Sequence, residues 1–244
     1  MSEDTEPTEE QNVQPDSNEK SEADNQEAMK NRFKLIDGEE VLHVKQPSGV
    51  GFLNMYVLGL LVFGVHMIFW KPDMLVDDES GGIAKAIVWV MELGGSKLPF
   101  GFVLVMATIT WFNRMLNSST SGKWVTVWLL IATLLPVLIQ IDGLIALIRD
   151  LFSDADVEPF LGFEYNFLIA GIVLTLAFWG LIFYYQRSFD YAITSNAVIF
   201  KHAFLLSRAH RRILFDRISE VQVERTPIGT MTGYATLTIL TDSG

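Results

Sequence analysis

The apolar positions of this chain are gathered into long uncharged runs, separated by polar and charged stretches. The first run, Gly51–Trp70, holds twenty residues without a formal charge. At about 1.5 Å per residue, a helix of that length matches the ~30 Å hydrocarbon core of a bilayer. The second run, Leu98–Leu116, is charged only at Arg114, near its end, where a long side chain can reach the headgroups. The third is Trp124–Ile141, with apolar residues continuing past Asp142 to Ile148. Pro136 inside it predicts a kink rather than a stop. The fourth, Tyr165–Tyr185, is edged by Tyr165, Tyr184 and Tyr185, as interfacial aromatics are. The pattern predicts four transmembrane helices, at about 51–70, 98–116, 124–141 and 165–185.

A weaker stretch, Ile83–Leu93, is short and carries Lys85 and Glu92, which predicts an interfacial or re-entrant helix. After Arg187 the period changes. Tyr191–Thr194, Ala197–Phe204, Arg211–Phe215, Glu220–Arg225 and Ala235–Thr241 are short β-branched runs, with breaks at Ser195-Asn196 and over Pro227–Gly233. Val221 and Val223, then Leu237 and Ile239, alternate with polar neighbours as half-buried strands do. A small β domain is therefore expected over 188–244, hung on the fourth helix. Ahead of the first run, residues 1–29 are acidic and almost free of large apolar side chains, so they are expected to be a disordered tail. Residues 30–50 form a mixed pre-membrane segment with β-like character around Glu40–Lys45, broken at Pro47-Ser48-Gly49.

Charge refines this picture. The net charge is −11, but ten of the 29 acidic residues precede Lys30, so the acidity is largely a property of the tail. Arg32, Lys34, Lys45, Arg114, Lys123, Arg187 and Lys201 fall on the same side as the N-terminus. The opposite loops are rich in acid, with Asp150, Asp154, Asp156 and Glu158 in the third. The positive-inside rule places both termini in the cytoplasm of a multi-pass cell-membrane protein. The apolar runs begin too late, and after too acidic a start, for a cleavable secretory signal. There is no cysteine, which removes thiolate metal sites and Cys nucleophiles. His43, His66, His202 and His210 lack ligand spacing, and no Walker, G-x-S-x-G or G-x-G-x-x-G motif is present. Asn117-Ser118-Ser119 fits a glycosylation sequon but falls on the cytoplasmic side of this topology. No enzyme, cofactor or metal is expected, and no nucleic-acid partner.

Tyr191-Ala192-Ile193-Thr194 with Val198-Ile199 is followed by the basic stretch Arg208–Arg212 and then by Phe215-Asp216-Arg217-Ile218. Val221-Gln222-Val223 and Gly229–Thr236 complete the series, and Asp37–Leu42 with Pro47-Ser48 precedes the first run. In that order these segments resemble the bacterial pleckstrin-homology family of membrane proteins (the YdbS-like group). The resemblance implies a membrane protein whose helical region is followed by a small PH-like β-barrel. It departs from the family's pattern in having four helices rather than two. It also reaches Gly244 where further strands and a closing helix would follow, so the barrel is expected to be truncated.

Arg208, Arg211, Arg212 and Arg217 are the candidate ligand contacts, since a basic cluster beside an anionic leaflet attracts headgroups at roughly 1 kcal/mol per cation. The alternative is that Arg211 and Arg212 are solvated strand residues and that Arg217 pairs with Asp216 or Glu220. His66 and Asp142 are the ionisable groups at membrane depth, which would matter in a small transporter or channel. The expected function is a non-enzymatic module presenting its β domain to a protein partner or to further copies of itself. An anionic-lipid-binding module is the alternative.

Overall fold

The structure, a computed structural model, describes residues 17–72, 81–93, 99–115, 123–152 and 164–242. It divides into two compact units: residues 1–47 together with 187–244, and residues 48–186 between them.

The first unit is the β domain. Helix α1 (Ser17–Phe33) is followed by strand β1 (Val41–Lys45). After the helical unit come β2 (Phe189–Thr194), β3 (Ala197–Phe204) and β4 (Ser207–Leu214), which join β1 in an antiparallel sheet of order β1-β2-β3-β4. β5 (Ile218–Glu224) and β6 (Thr236–Thr241) form a separate two-stranded sheet. They are joined through a short helix, α8 (Pro227–Thr232), capped by the Thr226 hydroxyl on the Gly229 amide. The expected barrel is not closed. Among the described residues, β4 pairs only with β3 and β5 only with β6, so the six strands divide into two sheets.

Two expectations about the N-terminal region change with this arrangement. Residues 17–29, read as part of a disordered tail, are helical. Their composition offers little to bury, but Met29 and Phe33 at the C-terminal end of α1 pack on the sheet. Phe33 is fully buried with Ala192 and Ile199, flanked by Leu35, Val41 and Val44. Residues 1–16 lie outside the described residues. The pre-membrane segment, read as separate from the β domain, supplies its edge strand: Val44 stands opposite Ala192 and Lys45 opposite Tyr191.

The second unit is helical. A 3-10 turn (Gly49–Phe52) leads into α2 (Leu53–Trp70), followed by α3 (Gly82–Met91), α4 (Phe100–Met115), α5 (Lys123–Ile139), α6 (Ile141–Phe152) and α7 (Phe167–Arg187). Among the described residues, two helical segments are long and apolar enough to cross a membrane, Gly49–Trp70 and Phe167–Arg187. The other two expected spans appear as shorter apolar helices of 16 and 17 residues. α5 holds Pro136 within it and ends at Ile139, and α6 begins at Ile141 after the single residue Gln140. The weak stretch at 83–93 is α3, ten residues long. It lies so close to α4 that a Cβ on Gly101 would come within 1.7 Å of the Val90 carbonyl oxygen.

Met55, Val62, Phe102, Met106, Leu129, Phe178 and Ile182 are buried in this unit. Leu60, Leu104, Trp111, Leu134, Leu138, Val173 and Leu176 are exposed, so an apolar interior is wrapped in an apolar exterior. The buried hydroxyls of Thr110 and Thr133 donate to the carbonyls of Met106 and Leu129, one turn back in their own helices. This leaves no hydroxyl donor of theirs to be satisfied by water.

Candidate functional site

The candidate arginines fall on or just after β4, so the sheet register determines where each side chain goes. Alternation along the strand sends Arg208, His210 and Arg212 to one face and Arg211 and Ile213 to the other. Arg212 stands opposite Ile199, on the face that α1 covers. His210 there donates from Nε2 to the Phe33 carbonyl at 3.2 Å, and Lys201 donates to the Arg32 carbonyl at 3.0 Å. These are the last carbonyls of α1, which have no partner within the helix and favour cationic donors. Arg32 in turn pairs with Asp190 at 2.6 Å. Much of the basic character counted in the sequence is therefore engaged in holding α1 to the sheet.

Arg212 is engaged more deeply. Its Nη2 lies 2.6 Å from Oε2 of Glu39, whose side chain is fully buried, while that of Arg212 is 19% exposed. Glu39 also accepts the Ile36 amide at 3.1 Å and the Thr194 hydroxyl. Thr194 accepts the Ala197 amide at 3.0 Å, which braces the turn between β2 and β3. Burial raises the pKa of the Glu39 carboxyl, but these three donors and the guanidinium charge outweigh it and hold it below the ordinary range. Sequence reasoning passed over Glu39. Nothing local marks it, because its partner Arg212 is 173 residues away.

Arg211, Arg212 and Arg217 line a single cavity of about 260 Å³ with Ile213, Leu214 and Thr241, and no acidic side chain is among its walls. Arg208 is not part of it. Arg211 and Arg217 have no ion-pair partner among the described residues. The structure thus brings three of the four candidates together and places the fourth elsewhere.

On the face of the sheet turned away from α1, a largely apolar groove of about 420 Å³ is lined by Phe189, Tyr191, Phe200 and Ile213 and by Leu237 and Ile239 of β6, with Lys201 and Arg211 as its cations. Tyr191 meets Phe200 edge-on at 5.4 Å, and Phe189 stacks on His202 at 4.2 Å. Burial pushes the His202 imidazole below its usual pKa, so near neutral pH it adds little positive charge here. The period-2 alternation of β2 and β3 was the available signal for this face. It could not reveal that β6 lies across it.

His66 is buried in the helical unit. Its Nδ1 donates to the Val62 carbonyl at 2.8 Å, because a carbonyl only accepts, which leaves Nε2 to accept the Tyr165 hydroxyl at 3.2 Å. Phe102 packs edge-on against the ring at 4.8 Å. Asp142, in the first turn of α6, accepts the amide of the next residue, Gly143, at 2.9 Å. Both groups thus have local partners, and His66 and Asp142 are not hydrogen-bonded to one another. Among the described residues, no group of three His, Asp or Glu side chains is placed to hold a metal ion.

Comparison with protein families gives a match to the family described as bacterial PH domain over residues 102–244, taking in α4–α7 as well as β2–β6. Comparison with curated proteins and with solved structures gave no match.

Proposed function

Because this chain belongs to the bacterial PH domain family, we propose that it is a non-enzymatic binding module. In this reading, its apolar helices anchor it in the cell membrane and its β domain receives a protein partner or another copy on the cytoplasmic side. The observation that carries the binding role is the aromatic groove. An open apolar channel flanked by unpaired strand edges suits an extended or hydrophobic peptide segment. A crosslinking residue, benzoylphenylalanine, in place of Leu237 is expected to yield a discrete protein adduct in native membranes, lost when Phe200 is changed to Glu. Adducts to lipid alone, or none at all, would overturn this reading.

The membrane reading draws support from the apolar exterior of the helical unit, since a helix apolar on all sides needs a protein core or lipid around it. Pairing of β1 with β2 supplies a further constraint. The two strands flank the helical segment in sequence, so its two ends lie on one side and the number of crossings is even. Two and four crossings both satisfy this, and single cysteines separate them in a chain that has none of its own. With four spans, Lys123→Cys and Asp154→Cys label from opposite sides of the membrane. With two, they label from the same side.

A second reading, binding of an anionic headgroup, is favoured by the arginine-lined cavity. Arg212 is already neutralised by Glu39, but Arg211 and Arg217 line the same space without an ion-pair partner among the described residues, and an anion there would relieve their repulsion. Short-chain phosphatidic acid is expected to protect Arg211 and Arg217 from phenylglyoxal while Arg208 remains reactive. Equal protection of all three by phosphatidylcholine would remove this reading. A C-terminal fragment starting at β2 would be the wrong material for these tests, because it lacks β1 and α1.

A further inference from the structure

The hairpin between β3 and β4 turns through only two residues, Leu205 and Leu206, since Phe204 stands opposite Ser207. Such turns ordinarily use Gly, Asn or Asp, because one or both central residues must take positive φ. Here Leu205 sits at φ +48°, a conformation that Cβ sterics disfavour for a leucine. Neither leucine is covered: Leu205 is 62% exposed and Leu206 fully exposed, while Phe204 before them is buried. The turn therefore bears backbone strain and two apolar side chains in water, and the domain's own packing accounts for neither.

The register shows where this tip lies within the β domain. α7 ends at Arg187, and only Ser188 separates it from β2. β2 runs away from that point and β3 returns antiparallel, with His202 opposite Phe189. The Ala203 amide donates to the Ser188 carbonyl at 3.0 Å. The tip at Leu205-Leu206 thus projects just past the start of β2, at the end of the sheet where the chain arrives from α7. Arg187 and Arg208 stand on either side of it in sequence, both exposed. The opposite end of the sheet carries the polar turn Ser195-Asn196.

We propose that the Leu205-Leu206 tip is a lipid-dipping element, which enters the interfacial layer of the same membrane that α7 crosses. Two leucines at the apex provide apolar surface for the acyl boundary, and the flanking arginines stay among the phosphates, as long cationic side chains do at interfaces. The inference rests on the membrane reading of α7. It adds a second, independent contact with lipid that would fix the orientation of the sheet to the bilayer plane.

The test uses the full chain in nanodiscs of phosphatidylcholine and phosphatidylglycerol, with an environment-sensitive NBD dye on one introduced cysteine at a time. Leu206→Cys probes the tip, Asn196→Cys the far end of the sheet, and Leu176→Cys the outward face of α7. Quenching by headgroup spin-labelled lipid is expected to be several-fold stronger at position 206 than at 196, with position 176 quenched by a lipid labelled deep in its acyl chain. Position 206 no more quenched than 196, with 176 quenched, would overturn the lipid-dipping tip and leave the membrane reading standing. Absence of quenching at 176 would remove the membrane reading and this inference with it.

Discussion

Replacing Phe33 with alanine is expected to release α1 from the β domain and to loosen β1 with it. A fully buried phenylalanine truncated to alanine typically costs about 3–5 kcal/mol. Phe33 is the residue through which α1 enters the core, beside Ala192 and Ile199. The Arg32 guanidinium also lies 5.4 Å above its ring. Loss of about 3 kcal/mol corresponds to roughly a hundredfold faster opening. Hydrogen exchange should therefore accelerate by about that factor over residues 25–45, while the central pair β2–β3 changes far less. Unaltered exchange across Val41–Lys45 would mean that α1 is not a structural layer of this domain.

The second large effect is expected at Glu39. Glu39→Ala leaves the Arg212 guanidinium four-fifths buried without its carboxylate, and breaking a buried pair in this way costs about 3–5 kcal/mol. The Thr194 hydroxyl and the Ile36 amide lose an acceptor at the same time. Glu39→Gln retains an acceptor and should cost less. Glu39→Ala combined with Arg212→Met should recover part of the loss, because the stranded charge is then gone. The pH dependence follows from the depressed pKa of Glu39. Its stabilising contribution is complete above the ordinary glutamate value of 4.5 and is lost as pH falls through the lower folded-state value. Asp190 behaves with the same sign: burial raises its carboxyl, but the hydrogen bonds from Arg32 and Gln46 and the nearby cations outweigh this and hold it below the ordinary range. Acid unfolding followed by near-UV circular dichroism should therefore be flatter for Glu39→Gln than for the parent, with the slope due to Asp190 remaining.

What was legible in the sequence was local. The strand read over Ala197–Phe204 has those bounds in the structure, because a β-branched and aromatic run directly after the Ser195-Asn196 break leaves little choice. β2, β4, β5 and β6 follow their expected segments within a few residues, and the match to the bacterial PH domain family agrees with the order of motifs that suggested it. The β-like character before the first apolar run was also visible, but its partner strand was not. Pairing across the whole helical unit leaves no mark in either strand.

The same reasoning explains the misreading of residues 17–29. Their own side chains are polar, and the apolar contact that holds the helix comes at Met29 and Phe33, at the edge of that window. The arginines illustrate the limit for function. As a string, Arg208–Arg212 reads as one basic patch. In the fold, Arg212 pairs with Glu39, His210 caps α1, and Arg211 joins Arg217 in a cavity that only the register defines.

The clasp between β1 and β2 also bears on the order in which the chain can be built. Glu39 and Thr194 lie 155 residues apart. At a translation rate of roughly 5–20 residues per second, the N-terminal segment waits on the order of ten seconds or more for its partners. During that interval the helical segments leave the ribosome while β1 is still an unpaired apolar strand, open to mispairing. β2 therefore emerges to pair with a strand that has been waiting throughout, and α1 is the element already present to shield it.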